Sequence, residues 1–373
     1  MPGIYIHIPY CKKACHYCNF HFSTTRYNTA EMMQCIRQEI DLRKDYLQDE
    51  IETIYFGGGT PSIIDAAELK KMIEKIHEVF HVNRDAEITL EANPDDISKE
   101  NLSNWKNIGF NRLSIGTQSF HQSDLAWMNR AHSAQQAFQG IMLAKDYGFE
   151  NISCDLIYGT PLLDNDMWAE NLSIINSLNI AHLSAYALSI EPQTALHKMI
   201  EKHKTPDINL EKQAHQFDIL MQWAQENSFE HYEISNFAKQ GLRSKHNSSY
   251  WQGKYYLGLG PSAHSFNGNA RQWNVSNNAL YIQSLKKNEL NFEEEYLSEE
   301  NKLNESVMIS LRTIEGIDLP KLENVFGVKQ RQRLENISQK YLNNNFLIKE
   351  NNHLVLTNRG KHYADGIAAE MFL

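Results

Sequence analysis

The chain has 373 residues, and its 36 lysines and arginines against 46 aspartates and glutamates give a formal net charge of −10. An acidic chain is a poor electrostatic partner for phosphate backbones, so nucleic acid binding is disfavoured. Apolar residues at 42% exclude wholesale disorder, and neither a membrane-spanning apolar run nor a secretory signal is recognisable. These features predict a soluble cytoplasmic protein.

Short β-rich segments alternate with helical patterns through the first half of the chain. The predicted strands are Gly3–Ile8, Ile51–Phe56, Glu87–Ala92, Arg112–Thr117, Ile152–Ile157 and His182–Leu188. The predicted helices between them are Ala30–Tyr46, Ala66–Phe80, Ser98–Asn107, Ala134–Tyr147 and Met167–Ser177. Such alternation is typical of a parallel sheet with crossover helices, which is either doubly wound or a barrel that does not quite close.

Polar or glycine-rich residues accompany the ends of successive strands, and they distinguish these two folds. They are Cys11–Cys18, Gly57–Pro61, Glu91, Gln118 and Asp155. In a parallel barrel the carboxyl ends of the strands converge on one ligand, whereas a doubly wound sheet concentrates its ligand at one switch point. The sequence therefore predicts an α/β fold with a partial (β/α)6, TIM-like barrel.

The second half of the chain follows a different pattern. It is turn-rich from about Tyr232 to about Asn291, and the C-terminal part then has predicted helices at Glu299–Arg312, Leu319–Phe326 and Lys329–Asn343, a hairpin turning at Asn351-Asn352, and a final helix beyond Asn358. Helices followed by a hairpin are typical of a winged-helix module, for which docking is as reasonable a role as DNA binding in an acidic chain. The predicted domains are a barrel at 1–231, a connecting region at 232–295 and a winged-helix-like module at 296–373.

Three of the five cysteines are clustered as Cys11-x3-Cys15-x2-Cys18. Thiolates spaced this closely on a loop are suited to an iron–sulfur cluster, and three ligands leave one iron of a four-iron cluster open. Structural zinc of the Cys3His type, with His16 or His21 as the fourth ligand, is the alternative that the spacing leaves open. The two remaining cysteines fall on a predicted helix and a predicted strand, as buried apolar residues do.

The cysteine motif after the first strand and Gly57-Gly58-Gly59-Thr60-Pro61 after the second resemble the radical S-adenosylmethionine (SAM) superfamily. This resemblance implies that Cys11, Cys15 and Cys18 hold a [4Fe–4S] cluster whose open iron binds the amino and carboxylate groups of SAM. It also implies that an electron from the cluster cleaves the sulfonium and releases a 5′-deoxyadenosyl radical. The glycines allow the backbone to approach a ligand closely.

Further segments resemble the HemN/HemW branch of that superfamily, which contains oxygen-independent coproporphyrinogen III oxidases and related heme chaperones. The matching segments are Tyr5–Cys11, Glu91–Asp95, Arg112–Phe120, Asn129-Arg130 and Asp155–Gly159. The C-terminal module also resembles that branch, so the resemblance covers essentially the whole chain.

The resemblance assigns SAM contacts one position at a time and names no catalytic residue. It implies contacts to the methionine moiety by Tyr5, Gly58, Gly59 and Thr60, polar contacts by Glu91 and Gln118, contacts near the carboxylate and ribose by Arg130 and Asp155, and a contact near the adenine by Ala187. Carboxylates that accept from ribose hydroxyls and an arginine paired with a carboxylate are reasonable in these roles.

Three features favour the heme chaperones over the oxidases within the branch. Phe20 stands where the oxidases carry a further cysteine, and the oxidases' N-terminal arm is not expected before the strand at Gly3. The third feature is a match to the His-Asn-x-x-Tyr-Trp motif associated with heme binding in the chaperones: His246, Asn247, Tyr250 and Trp251. A neutral imidazole can ligate heme iron and flat rings can lie against a porphyrin, although a turn packed into a neighbouring core explains the same residues.

The resemblance implies a protein that binds heme and delivers it to a heme-requiring membrane protein such as a respiratory enzyme. It does not span the membrane, although peripheral association and a homodimer are compatible with the family. The alternative is an oxygen-independent coproporphyrinogen III oxidase, which decarboxylates two propionates oxidatively. A radical SAM enzyme that modifies nucleic acid is a more distant alternative, because the net charge disfavours it. Whether the chain acts as an enzyme stays open.

Overall fold

Strand–helix units in chain order form the first part of the protein, in a computed structural model that describes residues 2–373. The elements are β1 (Gly3–Ile8), α1 (Thr29–Leu42), β2 (Ile51–Gly58), α2 (Ala66–Val79), β3 (Val82–Ala92), α3 (Lys99–Ile108), β4 (Arg112–Gln118), α4 (Gln122–Trp127), α5 (Ala134–Asp146), β5 (Asn151–Tyr158), α6 (Asn165–Ser177) and β6 (His182–Ala187). Strands β1 to β6 pair in chain order, and each pair is parallel. This confirms the predicted partial (β/α)6 barrel.

Alternation along each strand separates the two faces of the sheet. In β1, Ile4 and Ile6 are fully buried in the core, whereas Tyr5 stacks on Tyr55 of β2 on the inner face of the barrel. A period of two residues follows from the pleat of a strand. The same alternation turns Glu91 of β3 and Asp155 of β5 inward, to one cavity.

Side-chain caps define where several barrel helices begin. Asp65 accepts a hydrogen bond from the backbone of α2, and Ser98 accepts one from the backbone of α3. Ser133 and Gln136 form a reciprocal capping box at the start of α5. Such caps satisfy backbone N–H groups that have no partner within the helix, and each contributes about 1 kcal/mol.

Residues 195–296 extend the barrel sheet at both of its edges. The elements are α7 (Ala195–Glu201), α8 (Leu210–Glu226), β7 (Glu230–Glu233), β8 (Asn236–Ala238), α9 (Lys245–Trp251), β9 (Tyr256–Leu259), β10 (His264–Phe266), β11 (Ala270–Asn274), α10 (Asn278–Leu285) and β12 (Phe292–Tyr296). Strand β8 pairs with β6, and β9 pairs in parallel with β1. The complete order is β12-β11-β10-β9-β1-β2-β3-β4-β5-β6-β8-β7. The segment predicted as turn-rich, from about Tyr232 to about Asn291, thus supplies strands β8 to β11, of three to five residues each, to this sheet.

The C-terminal residues form a small helical module with its own core. Its elements are α11 (Glu299–Leu311), β13 (Ile317–Asp318), α12 (Leu319–Phe326), α13 (Val328–Asn343), β14 (Leu347–Glu350), β15 (His353–Leu356), α14 (Asn358–Lys361) and α15 (Ala364–Met371). The hairpin β14–β15 turns at Asn351 and Asn352, both with positive φ, as predicted. Among residues 2–373, no helix has the length and apolar composition required to cross a membrane.

A buried ionic network ties α1 to the added strands. The Arg43 Nε atom lies 2.8 Å from Glu39 Oε1, and both side chains are almost fully buried. The two remaining nitrogens of Arg43 donate to Gln272 and Asn274 of β11, each at 2.8 Å. Glu39 also accepts from the backbone N–H of Gly260, which follows β9. These contacts anchor β9 and β11, the extension that continues the barrel beyond β1.

Replacing Arg43 with methionine is expected to lower the free energy of unfolding by about 3–5 kcal/mol, because Glu39 would remain buried without its partner. Urea unfolding followed by circular dichroism measures the change. Lys70→Met is the matched control: Lys70 and its partner Glu74 are both exposed, and that change is expected to cost less than about 1 kcal/mol. Equal effects of the two substitutions would contradict the importance of the network.

Candidate functional site

The three clustered cysteines lie on the loop between β1 and α1. The loop is fixed by a hydrogen bond from Cys11 N to Ser23 O, 3.0 Å long. Cys11, Cys15 and Cys18 are partly exposed and line one cavity of about 390 Å³ at the carboxyl ends of the barrel strands. The two remaining cysteines, Cys35 and Cys154, are buried in the hydrophobic core.

Arg130 places a positive charge beside the cysteine loop. Its Nη1 atom donates to Cys15 Sγ at 3.3 Å, and its Nη2 atom donates to Asn93 Oδ1 and to Gly116 O, both at 2.7 Å. Burial raises the pKa of the Cys18 thiol to about 11. A cation that donates to sulfur favours the thiolate, which is the form that binds iron.

Neither histidine that could complete a zinc site accompanies the three thiols in their cavity, as far as residues 2–373 define it. His16 Nδ1 bonds to Trp127 O at 2.7 Å, and His21 Nε2 bonds to Asn278 Oδ1 at 2.7 Å. Within the same residues, no three histidine, cysteine or acidic side chains are gathered closely enough to hold a single metal ion.

The glycine segment at the end of β2 passes very close to the end of β1. The N–H of Gly59 donates to Ile8 O at 2.8 Å, and that of Thr60 donates to Tyr10 O at 2.7 Å. Gly58 has φ +106°, and a Cβ on Gly59 would lie 2.5 Å from Tyr10 O. Only glycine fits here without a shift of the backbone, so the segment borders the cavity through its main chain.

Two inward-facing carboxylates share the cavity floor. Glu91 accepts a hydrogen bond from Tyr55 OH at 2.8 Å, and Asp155 accepts from Ser114 at 3.1 and 3.2 Å. Burial, together with the charge of Asp155, raises the pKa of Glu91 to about 7, and burial also raises the pKa of Asp155. These carboxyl groups are costly to ionise while no cation lies beside them, so the cavity is suited to receive a cationic group.

Eight of the nine residues assigned to SAM by resemblance line this cavity, and Tyr5 does not. The eight are Gly58, Gly59, Thr60, Glu91, Gln118, Arg130, Asp155 and Ala187. Gln118 has φ +65°, a conformation that non-glycine residues adopt rarely and often at functional sites. Tyr5 lies in the neighbouring groove, although its ring stacks on Tyr55 from the cavity side of the sheet.

Arg112 is a feature of the barrel interior that the sequence interpretation missed. Its side chain is 1% exposed, its Nε atom is 3.9 Å from Glu87, and all three guanidinium nitrogens lack a hydrogen-bond partner among the described residues. Its charge opposes the rise in the pKa of Glu91 and of Asp155. Only the inward alternation of β4 could have indicated this position, since one arginine at a strand start is unremarkable in a sequence.

The His-Asn-x-x-Tyr-Trp motif forms helix α9, and its histidine points into the barrel. His246 is 1% exposed; its Nδ1 atom is 2.8 Å from Thr53 Oγ1 and its Nε2 atom is 2.9 Å from Tyr250 OH. Its ring also stacks on Tyr55, with 4.9 Å between centroids. Burial and Arg112 lower the pKa of His246 to about 3, so the imidazole is neutral. In this conformation both ring nitrogens of His246 are hydrogen-bonded, so the histidine does not present the free nitrogen that was expected of a ligand to heme iron.

The other motif residues face two different spaces. Asn247 lines the cavity with the cysteines, whereas Tyr250 and Trp251 line a groove of about 1400 Å³ between the barrel edge and the C-terminal module. The Arg312 guanidinium, from the end of α11, lies 5.2 Å above the Trp251 ring. We call this space the lateral groove; its walls come from β1, β9–β11, α9, α11 and α12.

The cavity and the lateral groove are adjacent. Asn19 and Phe20 line both, and the Phe20 side chain is 68% exposed between them. Phe20 is the residue that stands where the oxidases of the branch carry a cysteine. A ligand in the groove would therefore lie next to the cysteine loop and would meet an aromatic ring there.

Comparison with family models and solved structures gives the same architecture. Residues 5–173 match the Radical SAM superfamily, and residues 297–362 match the HemN C-terminal domain. The structure of coproporphyrinogen III oxidase (HemN) from Escherichia coli superposes with a TM-score of 0.86 over 100% of this chain and 90% of that chain. At 22% identity, this similarity establishes the fold.

Curated relatives match over most of their length. The chain is 33% identical to "Heme chaperone HemW" of Bacillus subtilis, over 88% of this chain and 87% of that protein. It is 31% identical to the protein of the same name from Mycobacterium tuberculosis, over 98% and 93%. A mitochondrial radical SAM domain-containing protein 1 of Bos taurus is 36% identical over 70% and 60%. This chain belongs to the HemW family of radical SAM proteins, and membership of this family implies that it binds a [4Fe–4S] cluster and SAM.

Proposed function

We propose that this protein is a heme chaperone that carries a [4Fe–4S] cluster and SAM, binds heme and delivers it to a heme-requiring membrane protein such as a respiratory enzyme. The observation that carries the proposal is the near-full-length similarity to proteins named heme chaperone HemW. The lateral groove supports it, because aromatic, imidazole and basic side chains meet there. The proposal includes a cytoplasmic location and a homodimer formed on cluster loading.

In this proposal Cys11, Cys15 and Cys18 hold the cluster, which supplies an electron to SAM when both are bound. The fit rests on three partly exposed thiols that line one cavity. Arg130 orients the loop by donating to the sulfur of Cys15. The neighbouring backbone of Gly58 and Gly59 borders one side of this space.

SAM is proposed to occupy the remainder of the cavity. Its sulfonium and ammonium groups are positive, and they would offset the cost of ionising the buried carboxyls of Glu91 and Asp155. The proposed contacts are those that the family resemblance assigns: Tyr5, Gly58, Gly59, Thr60, Glu91, Gln118, Arg130, Asp155 and Ala187. Tyr5 would act from behind Tyr55, whose hydroxyl orients Glu91.

The α9 motif is proposed to contact heme from the wall of the lateral groove. Tyr250 and Trp251 would lie against the macrocycle, because both rings line the groove. His246 would position Tyr250 through the hydrogen bond between Nε2 and the phenol. Asn247 would connect this site to the neighbouring cavity, which it lines. Ligation of iron by His246 itself would require α9 to leave the barrel, since Thr53 and Tyr250 occupy both ring nitrogens.

The second candidate is an oxygen-independent coproporphyrinogen III oxidase, which the fold similarity to HemN favours. Phe20 argues against it, because an exposed aromatic ring stands where the oxidases of the branch have a cysteine. Radical chemistry on a propionate also needs a closed site that prevents side reactions. An enzyme that modifies nucleic acid is the weakest candidate, because a net charge of −10 repels a phosphate backbone.

Alanine at Cys11, Cys15 or Cys18 is expected to abolish iron and sulfide incorporation during anaerobic reconstitution, because a cluster that loses one of three thiolates is not retained. Iron, sulfide and zinc are measured in each variant. Cys35→Ala and Cys154→Ala serve as controls, and both are expected to incorporate iron like the wild type. Stoichiometric zinc without iron in the wild type would support the structural-zinc alternative instead.

The affinity for SAM is expected to fall below a pH of about 7, the pKa of Glu91, by up to about tenfold per pH unit. Protonation of Glu91 below this pH removes the negative charge that attracts SAM; burial, and then the neighbouring Tyr55 and Asp155, set the pKa at which this occurs. Calorimetric titration of the reconstituted protein between pH 5.5 and about 8.5 measures the profile. Glu91→Gln is expected to bind weakly and to flatten this profile, whereas Glu100→Gln, on the exposed side of α3, leaves it unchanged. The same pH slope in Glu91→Gln would rule out Glu91 as its origin.

The reconstituted wild type is expected to bind ferric heme and to form no protoporphyrinogen IX from coproporphyrinogen III and SAM. Loss of the Trp251 ring should weaken heme binding about two- to tenfold, the range that aromatic stacking contributes. Absorbance titration measures binding in Trp251→Ala, with Tyr27→Ala, an exposed ring, as the control. Robust SAM-dependent decarboxylation by the wild type would contradict the chaperone proposal and support the oxidase.

A further inference from the structure

Four of the described histidines line the lateral groove, and within residues 2–373 one of them has no hydrogen bond at either ring nitrogen. His7 bonds to Tyr5 and to the carbonyl of His21, His21 bonds to Asn278, and His353 bonds to the carbonyl of Glu315. The fourth, His264 of β10, is exposed and makes no side-chain hydrogen bond to any other residue within 2–373. An iron ligand must offer a free nitrogen lone pair, and His264 is the groove histidine with neither ring nitrogen engaged, so either tautomer can present its lone pair to the groove.

The position of His264 in the sheet points its side chain into the groove. His264 pairs with Trp273, and Phe266 pairs with Arg271 in the antiparallel β10–β11 ladder. Residues opposite one another in a ladder, and residues two apart in a strand, share a face. His264, Phe266 and Arg271 therefore lie on one face, and all three line the groove. Partial burial of the His264 ring and the charge of Arg271 lower the pKa of His264, which favours the neutral imidazole.

Arg271 offers a donor that nothing in the described chain uses. Its Nη2 atom is 2.9 Å from Glu305, but its Nε atom is buried without a partner. The Arg271 side chain is nevertheless 38% exposed and lines the groove, so the open part of its guanidinium can donate to an acceptor such as a carboxylate. Lys302 also lines the groove nearby and adds a second positive charge.

We propose that His264 is the axial ligand of heme in the lateral groove, and that Arg271 binds a propionate at the edge of the macrocycle. This inference rests on the proposed heme-binding function and specifies its site. The imidazole contributes one lone pair to the iron, so the step involves no electron transfer. Phe266, beneath the Arg271 guanidinium, and the ring of Tyr256 form the apolar wall, and Tyr250 and Trp251 lie on the α9 side.

Ligation by His264 requires no movement of the protein, whereas ligation by His246 of α9 requires the helix to move. His264 is reached from solvent without any change in the protein, whereas His246 is 1% exposed and bonded at both nitrogens. The α9 motif then contributes through Tyr250 and Trp251, and its histidine holds the tyrosine ring in place. His246→Ala is expected to weaken heme binding through Tyr250 while the spectrum of the ligated iron is unchanged.

Ferric heme is titrated into the reconstituted full-length protein and followed by the position and intensity of the Soret band. His264→Ala is expected to shift this band and to weaken binding at least about tenfold. Free imidazole added to the heme-loaded variant should restore the wild-type spectrum, a result that loss of folding could not produce. His264→Met keeps a coordinating side chain and is expected to retain heme with an altered spectrum.

Two further variants complete the test. Arg271→Gln should weaken binding without changing the ligation spectrum, and His81→Ala, which removes an exposed histidine between α2 and β3, controls for adventitious coordination. An unshifted Soret band in both His264→Ala and His264→Met would overturn the inference and leave the proposed function standing. Loss of the band in His246→Ala, with His264→Ala unchanged, would assign the iron to α9. Absence of heme binding by the wild type would instead refute the proposed function itself.

Discussion

The interior of the partial barrel is polar, and the burial of its charged groups is the constraint on which the rest of the structure depends. Parallel strands turn every second residue inward, so the buried Arg112 shares the barrel interior with Glu91 and Asp155, which are half-buried at the cavity. Isolated charges are costly in such surroundings unless they are paired or hydrogen-bonded. The carboxyls respond with raised pKa values, and the Arg112 guanidinium has no hydrogen-bond partner within residues 2–373. A ligand that carries positive charge is therefore favoured at the upper face of the barrel.

The same interior connects this cavity to the rest of the molecule through α9. Glu87 accepts hydrogen bonds from the first backbone N–H groups of that helix, at 3.1 and 3.0 Å. His246 inserts between Thr53 and Tyr250, against the ring of Tyr55 that also orients Glu91. At the other end of α9, Trp251 lies under Arg312, which pairs with Glu233 at the barrel edge. A change at the cavity therefore has a continuous path of packed side chains to the groove and the C-terminal module.

Sequence reasoning succeeded where the chemistry is local along the chain. The six barrel strands and the helices between them have long periodic patterns. The predicted hairpin at Asn351-Asn352 is confirmed, and it could be predicted because asparagine tolerates the positive φ that the turn requires. It was less informative for β9 to β12, whose three to five residues are too short for a pattern of their own. Strand β3 begins at Val82, before its predicted start, because Val82 pairs with Ile51 across a register shift.

The sequence by itself determined the barrel, the three-cysteine loop and the close glycine turn, since each depends on residue types at short spacing. Only the tertiary structure decided which side chains meet across strands. In the folded chain both ring nitrogens of His246 are hydrogen-bonded, whereas those of His264 have no partner within residues 2–373. The guanidinium of Arg112 is buried near the carboxylates without a hydrogen bond to the described residues. The physical reason is that hydrogen bonding and burial depend on neighbours from distant segments, such as Thr53 for His246, and no spacing within α9 encodes them.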